Sequence, residues 1–257
     1  MIASVIISAR NEYPSILYTV HAILEDLSNT LPLGEFEVII VDNLSDDRKE
    51  RRGLGGTTDF LKARGIYHNG FLKTFYYPTA SNVGARNFGV SKAKGKYIFF
   101  SDAHMFYAAG TFKRWIKTID ESGGIVHPAV SWIGSFPPQK GYGYSIKLGE
   151  ETIKGTWNNY LVGKGDDWFH VASMGHCSVG MLKEQFVKFG GYIENRCYGG
   201  GEMYLDTLWW MMGSCAITEP RINAYHLSSE RGYSYFHDDY IHNVFACAYA
   251  LGADMWL

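Results

Sequence analysis

An aspartate and a histidine stand two positions apart in Ser101-Asp102-Ala103-His104, directly after the aromatic and β-branched run Tyr97-Ile98-Phe99-Phe100. In extended backbone, residues i and i+2 project to the same side, so a carboxylate and an imidazole would meet on one face. Such a pair suits Mn²⁺ or a similar borderline cation better than Ca²⁺, which prefers oxygen ligands. The same tetrapeptide also serves as an Asp-capped turn with an incidental His. Two further acids, Glu202 and Asp206, sit four residues apart at the start of an apolar helical stretch and so share a helix face. Either could act as a general base. Glu202 follows Tyr198-Gly199-Gly200-Gly201, glycines that let backbone approach a ligand closely, although a first-turn Glu is also favoured by the helix dipole alone.

The elements that must position these side chains alternate through the first hundred residues. Val5-Ile6-Ile7 reads as a buried strand, and a helix follows over about 14–27, with Ile16, Leu17, Val20, Ile23, Leu24 and Leu27 at 3–4 spacing. A second strand is predicted over 36–41, a third over 71–77, a helix over 83–93 and a fourth strand over 97–101. Residues 45–58 read as loop or short helix. Repeated strand–helix–strand units imply an α/β fold, a mostly parallel central sheet flanked by helices. Ligands bind such sheets outside the carboxyl ends of the strands. Asp42, Asn43, Asp102 and His104 all fall there.

Residues 134–170 are rich in Gly, Pro and aromatics and read as a long irregular binding loop or lid. Beyond it an apolar segment covers 177–181, helices are predicted over 183–189 and 202–212, and a last helix runs over 238–255. No internal repeat, low-complexity tract or linker divides the 257 residues. One domain is expected, with a first lobe over 1–104 and a second over 105–257.

Composition bounds the partners. With 24 basic against 26 acidic residues the formal charge is −2, which argues against broad non-specific nucleic-acid binding. Aromatics reach 16%, a supply that serves ring stacking and core filling alike. Cys177, Cys197, Cys215 and Cys247 show no paired spacing and read as free, inert thiols. There is no signal-peptide pattern at the N-terminus and no apolar run near the roughly 20 residues that span a bilayer, so a cytoplasmic location is expected.

Three segments in order carry a family likeness. Val5-Ile6-Ile7-Ser8-Ala9-Arg10-Asn11-Glu12, Val38-Ile39-Ile40-Val41-Asp42-Asn43 and the stretch from Asn82-Val83-Gly84-Ala85-Arg86-Asn87 to Ser101-Asp102 together resemble family 2 glycosyltransferases and their GT-A relatives. Asp102-Ala103-His104, Gly200-Gly201-Glu202 and Tyr225-His226 resemble the polypeptide N-acetylgalactosaminyltransferases. The resemblance implies a GT-A fold and a hexosyl- or N-acetylhexosaminyl-transferase using a nucleotide-sugar donor, a UDP-sugar, with Mn²⁺ or Mg²⁺. It implies that Asp42 reads the base, that Arg10 and Glu12 line the nucleoside pocket, and that His226 is the third metal ligand beside Asp102 and His104. Alternatives stay open: Arg10 and Glu12 as a surface ion pair, His226 as a buried structural His, and Arg86 as either a phosphate partner or the holder of Asp102.

After His226 the polar run 227–235 resembles a flap that orders over the donor, with Arg231 either a bidentate diphosphate clamp or an ordinary surface residue. The resemblance to the polypeptide N-acetylgalactosaminyltransferases implies retention of anomeric configuration. Trp209, where the retaining relatives carry an Arg, departs from that likeness. Inversion would make Glu202 or Asp206 the base. His176 could line the donor-sugar pocket by position. The acceptor (glycan, lipid-linked sugar, protein, small molecule or modified nucleobase) is unspecified, and Trp157 and Trp168 are expected to meet it. Two other readings are a sugar-phosphate nucleotidyltransferase, disfavoured by the glycine-free turn after the first strand, and a non-catalytic binding module on the same fold.

Overall fold

The computed structural model describes residues 1–45, 70–134, 139–148, 153–158, 167–227 and 234–252. Strand β1 (Ala3–Ala9) and strand β2 (Phe36–Asn43) are apolar throughout their centres and buried along nearly their whole length. They pair in parallel, Ile6 beside Ile39 and Ala9 beside Asp42. Burial on both faces explains their continuous apolar sequence, as parallel strands covered by helices require. Strand β3 (Leu72–Tyr77) extends the sheet parallel to β2, and strand β4 (Tyr97–Ser101) lies parallel to β1 on its other side.

Alternate residues divide between two cores. Val5, Ile7, Val38, Ile40 and Phe99 face helix α1 (Ser15–Thr30), through Ile16, Val20, Ile23 and Leu27, and helix α3 (Thr111–Ser122), through Phe112, Trp115 and Ile119. Ile6, Ile39, Val41, Ile98 and Phe100 face the opposite layer, which includes helix α2 (Asn82–Lys92). Helix α2 lies close on the sheet because Gly89 has no side chain: a Cβ there would come within 2.4 Å of Ile6 Cγ2. The Ser81 hydroxyl caps α2, accepting from Gly84 N at 3.0 Å.

The second half completes the sheet with mixed strand directions. Strand β5 (Met105–Tyr107) precedes α3, and strand β6 (Ile125–Ile133) follows it. Strands β7 (Lys140–Gly141), β8 (Tyr144–Leu148), β9 (Ile153–Trp157) and β10 (Phe169–His170) occupy the stretch read from sequence as irregular. That reading is corrected: β8 and β9 form an antiparallel hairpin with Tyr144 opposite Trp157, and β7 pairs with β6. Strand β11 (Ser178–Leu182) inserts antiparallel beside β4, and helices α4 (Lys183–Lys188) and α5 (Gly201–Met211) follow. Strand β12 (Ala216–Leu227) and helix α6 (His237–Ala250) close the described chain. The main sheet runs β10-β12-β6-β11-β4-β1-β2-β3, with β5 paired to β12. No described helix is long and apolar enough to cross a membrane.

Candidate functional site

The cleft lies at the carboxyl ends of β1, β2 and β4, where the sequence placed it. Asp102 leaves β4 with its N–H bonded to Cys177 O at 2.8 Å, which ties the turn to the residue preceding β11. His226 arrives from 122 positions away because β12 pairs antiparallel with β5, setting His226 opposite Met105. Leu227 N donates to His104 O at 3.0 Å and closes that register. The imidazoles then meet edge to face, His104 Nε2 standing 3.2 Å from His226 Nε2. His226 Nε2 is 3.9 Å from Asp102 Oδ2.

One carboxylate and two imidazoles thus present ligand atoms within 4.8 Å of one another. Ligands that share one first-row ion at about 2.0–2.2 Å stand roughly 3 Å apart, so this spacing fits a common cation. The mixed N/O donor set suits Mn²⁺ and other first-row transition ions better than the oxygen-preferring Mg²⁺ or Ca²⁺. Three protein ligands leave positions open for substrate oxygens.

Arg86 closes the site from α2. Its Nη2 donates to Asp102 Oδ1 at 2.9 Å and to His176 O at 2.8 Å, and the side chain is buried. Burial opposes its charge, but Tyr192, Asp102 and Glu202 more than offset this and hold its pKa above the usual arginine value. Of the two open alternatives for Arg86, the structure shows the holder of Asp102, and the side chain also lines the cavity described next.

Beside Asp102 and His226 lies a cavity of about 190 Å³. Its walls include Trp132, Tyr144, Trp157, His176, Tyr198 and Glu202. Trp157 stands edge to face with Trp132 at 4.7 Å and with Tyr144 at 4.6 Å, forming an aromatic corner. Gly175 makes room for that corner, since a Cβ there would lie 2.7 Å from Tyr144 Oη and 2.9 Å from Trp157. Glu202 opens α5 after Gly199 and Gly200, whose φ angles of 87° and 82° favour glycine. Asn243 of α6 anchors this loop, accepting from Arg196 N at 2.8 Å and donating to Arg196 O at 2.7 Å and Gly199 O at 3.1 Å. The Cys177 thiol borders the same cavity, and burial, reinforced by Asp102, pushes its pKa well up, so it is inert.

A second concavity is lined by Ser8, Arg10, Glu12, Asn43, Asn82 and His104 among others. Arg10 Nη1 reaches Cys197 Sγ at 3.6 Å, and Glu12 Oε2 lies 3.0 Å from His104 Nδ1. Asp42 is buried at the end of β2, and its Oδ1 accepts from Ser45 N at 2.9 Å. Its neighbour Asn43 lines the concavity.

Asp206 is the correction. One turn along α5 from Glu202, it is fully buried, with Oδ1 bonded to His127 Nε2 at 3.1 Å and His176 Nε2 at 3.0 Å. Its Oδ2 accepts from Ser173 Oγ at 2.7 Å and Met174 N at 2.9 Å. Burial pushes its pKa up, but His127 and His176 overcome this and hold it well below the usual carboxylate range. A carboxylate spent on four donors, with no access to solvent, is no general base. The cause is its remote partners, which sequence spacing does not reveal.

Trp209 is also fully buried, edge to face with Phe189 at 4.8 Å, so it packs in the core rather than meeting a ligand. Trp168 packs against His170 and the first core rather than the cavity. Arg231 and the flap around it lie outside the described residues, apart from Leu227, Ser234 and Tyr235 at its ends. Sequence reasoning missed Tyr192, whose hydroxyl meets His176 Nδ1 at 2.6 Å and whose ring lies 6.0 Å from the Arg86 guanidinium. No local pattern marks it, whereas Tyr144, a cavity wall, falls in the aromatic stretch read as a binding loop.

Among curated proteins none matches the chain. Many solved structures share the fold, including three that hold a nucleotide or nucleotide sugar. GalNAc-T7, solved with UDP, GalNAc and Mn²⁺, aligns with a TM-score of 0.78 at 17% identity, over 97% of this chain and 48% of that one. S. aureus TarS 1-349 with UDP-GlcNAc aligns at 0.68 and 14% identity, over 98% and 66%. The mannosyltransferase PcManGT from Pyrobaculum calidifontis, with GDP-Man and Mn²⁺, aligns at 0.60 and 18% identity, over 90% and 58%. The chain therefore spans between about half and two-thirds of the solved chains it resembles. The sequence pattern described as glycosyl transferase family 2 matches residues 4–53 and 56–182, well over half of the chain. With the mixed sheet and the cleft at its strand ends, this chain belongs to the family 2 glycosyltransferases and has the GT-A fold.

Proposed function

We propose that the chain transfers a sugar from a nucleotide-diphosphate donor, a UDP-sugar, to an acceptor hydroxyl, with Mn²⁺ or Mg²⁺ held by Asp102, His104 and His226. The observation that carries this reading is the convergence of those three side chains beside the cavity bearing Glu202. A bound divalent ion would supply charge neutralisation for the leaving diphosphate. Solved neighbours crystallised with UDP or GDP-Man and Mn²⁺ support the ligand class.

The chain's own residues divide the remaining work. Arg86 keeps Asp102 aimed into the site and adds a fixed positive charge next to the cavity. Arg10, Glu12 and Asn43 border the nucleoside side, with Asp42, at the end of β2, the expected reader of the base and Arg231 the clamp expected from the flap. The aromatic corner of Trp132, Tyr144 and Trp157 offers flat apolar faces to sugar rings and excludes water from the reacting centre. Glu202 is left as the cavity's catalytic acid candidate once Asp206 is committed to its buried partners. Under retention Glu202 orients the acceptor or donor sugar; under inversion it takes the acceptor proton. We take retention as the reading, and an inverted product anomer by NMR would overturn it and make Glu202 the base. We further propose that both halves of the chain form one catalytic domain acting in the cytoplasm.

Calorimetric titration of UDP, GDP and TDP, with and without Mn²⁺, tests the reading. Mn²⁺-dependent binding of UDP is expected, lost in Asp102→Ala. Absence of nucleotide binding under every condition would withdraw it.

A further inference from the structure

The Glu12 carboxylate, expected to line a nucleoside pocket, also touches a metal-ligand candidate. Its Oε2 lies 3.0 Å from His104 Nδ1, and the two side chains are only 16% and 15% exposed. An ionised carboxylate accepts hydrogen bonds and donates none, so the proton of this contact sits on Nδ1. A neutral imidazole with its proton on Nδ1 carries its lone pair on Nε2. Nε2 is the atom that faces His226 Nε2 at 3.2 Å.

Glu12 is itself held in place. Ser15 Oγ donates to Glu12 O at 2.9 Å and reaches Glu12 Oε2 at 3.3 Å, while Ile16 N donates to Glu12 O at 2.9 Å. The preceding Asn11 has the left-handed φ of 56°, and its N–H is fixed by Ser45 Oγ at 3.0 Å. That turn swings the chain from the end of β1 into α1 and brings the carboxylate under the imidazole.

We propose that Glu12 is a positioning residue that fixes the tautomer and ring orientation of His104, so that Nε2 is presented as a ligand lone pair. The proposal rests on the metal-centre reading given above. A carboxylate behind a ligating imidazole raises its basicity, and loss of such a partner typically lowers metal affinity by about 10–100-fold.

The test has two arms on the whole chain. In metal-free protein, ¹⁵N NMR of the imidazoles is expected to show His104 protonated on Nδ1, and Glu12→Ala shifts the population to the Nε2-protonated form. In Mn²⁺ titration followed by electron paramagnetic resonance, Glu12→Ala is expected to lose about 10–100-fold in affinity. Glu12→Gln, whose amide oxygen still accepts, regains most of it. An unchanged tautomer in Glu12→Ala overturns the proposal. So does wild-type Mn²⁺ affinity combined with weakened UDP binding in chelator, which would make Glu12 a nucleoside contact. If wild type binds no Mn²⁺, or Asp102→Ala binds it equally well, the metal-centre reading fails, and the NMR arm separates that failure from this one.

Discussion

Two clusters in this molecule have the same composition and opposite character. Asp102, His104 and His226 form one, and Asp206, His127 and His176 the other; each brings one carboxylate and two imidazoles within 4.8 Å. In the first, all three residues are partly exposed at a cleft, and two imidazole nitrogens face each other. In the second, everything is buried and the carboxylate is surrounded by four donors. A ligand set needs lone pairs aimed at a common point and a path in from solvent. In the buried hub the carboxylate is already satisfied by its four donors, while His127 Nδ1 is left without a partner among the described residues. Residue identity and proximity alone do not separate the two cases; solvent access and the donors already on the carboxylate do.

Removing the carboxylate from each cluster should break different things. Asp206→Ala leaves two buried histidines, a serine and a backbone N–H without their acceptor, and about 3–5 kcal/mol of stability is expected to go, measured by urea unfolding. Unchanged stability with lost metal binding would instead make this cluster a functional site. Asp102→Ala is expected to cost less stability than Asp206→Ala, yet to weaken Mn²⁺-dependent nucleotide binding by more than about 100-fold, beyond what an outer-shell change costs. Calorimetry on the two variants side by side checks the contrast.

The hub also predicts a pH response. Burial lowers the pKa of His127 below its ordinary value, although Asp206 pulls the other way. A depressed histidine pKa means that the unfolded chain binds the proton more readily. Stability from this group is therefore complete above about pH 6.5 and falls as pH drops below it, by at most about 1.4 kcal/mol per pH unit. Asp206, with its lowered pKa, adds stability that is present above about pH 4 and lost below that as pH falls toward its folded value. Urea midpoints between pH 7 and 5 should decline in wild type and decline less in His127→Gln. Equal slopes would show that His127 carries no such linkage.

The smallest effects concern the aromatic side chains. Trp157→Ala should reduce acceptor use more than donor binding, while Trp168→Ala should change neither beyond its effect on stability. Comparison of the two KM values for donor and acceptor decides this. Equal losses in both variants would remove the aromatic corner from the substrate account.

The first half of the fold was legible because its signals are local. The β1 and β2 runs are apolar on both faces, and the α1 stripe from Ile16 to Leu27 keeps helical spacing. Strand β6 was obscured by Pro128, a residue that argues against a central strand. The structure admits it where the ladder with β12 is broken, between Glu219 and Asn223. Helix α3 carries a readable stripe at Phe112, Trp115 and Ile119, but its start is fixed from far away: Asp26 accepts from Gly110 N and, at 2.8 Å, from Phe112 N.

The candidate site divides in the same way. Asp102 and His104 are near neighbours on a strand end and were visible as a pair, whereas His226 came only through family likeness. Asp206 was misjudged because its partners His127, Ser173 and His176 are remote in sequence. Glu12 was assigned a role from its motif, and only the structure sets it against His104.

The contrast between the two clusters is tested most directly by anomalous diffraction from crystals grown with Mn²⁺ and UDP. A single manganese peak among Asp102, His104 and His226, and none at Asp206, is the predicted result. A peak in the buried hub, or none at the cleft, would contradict the account.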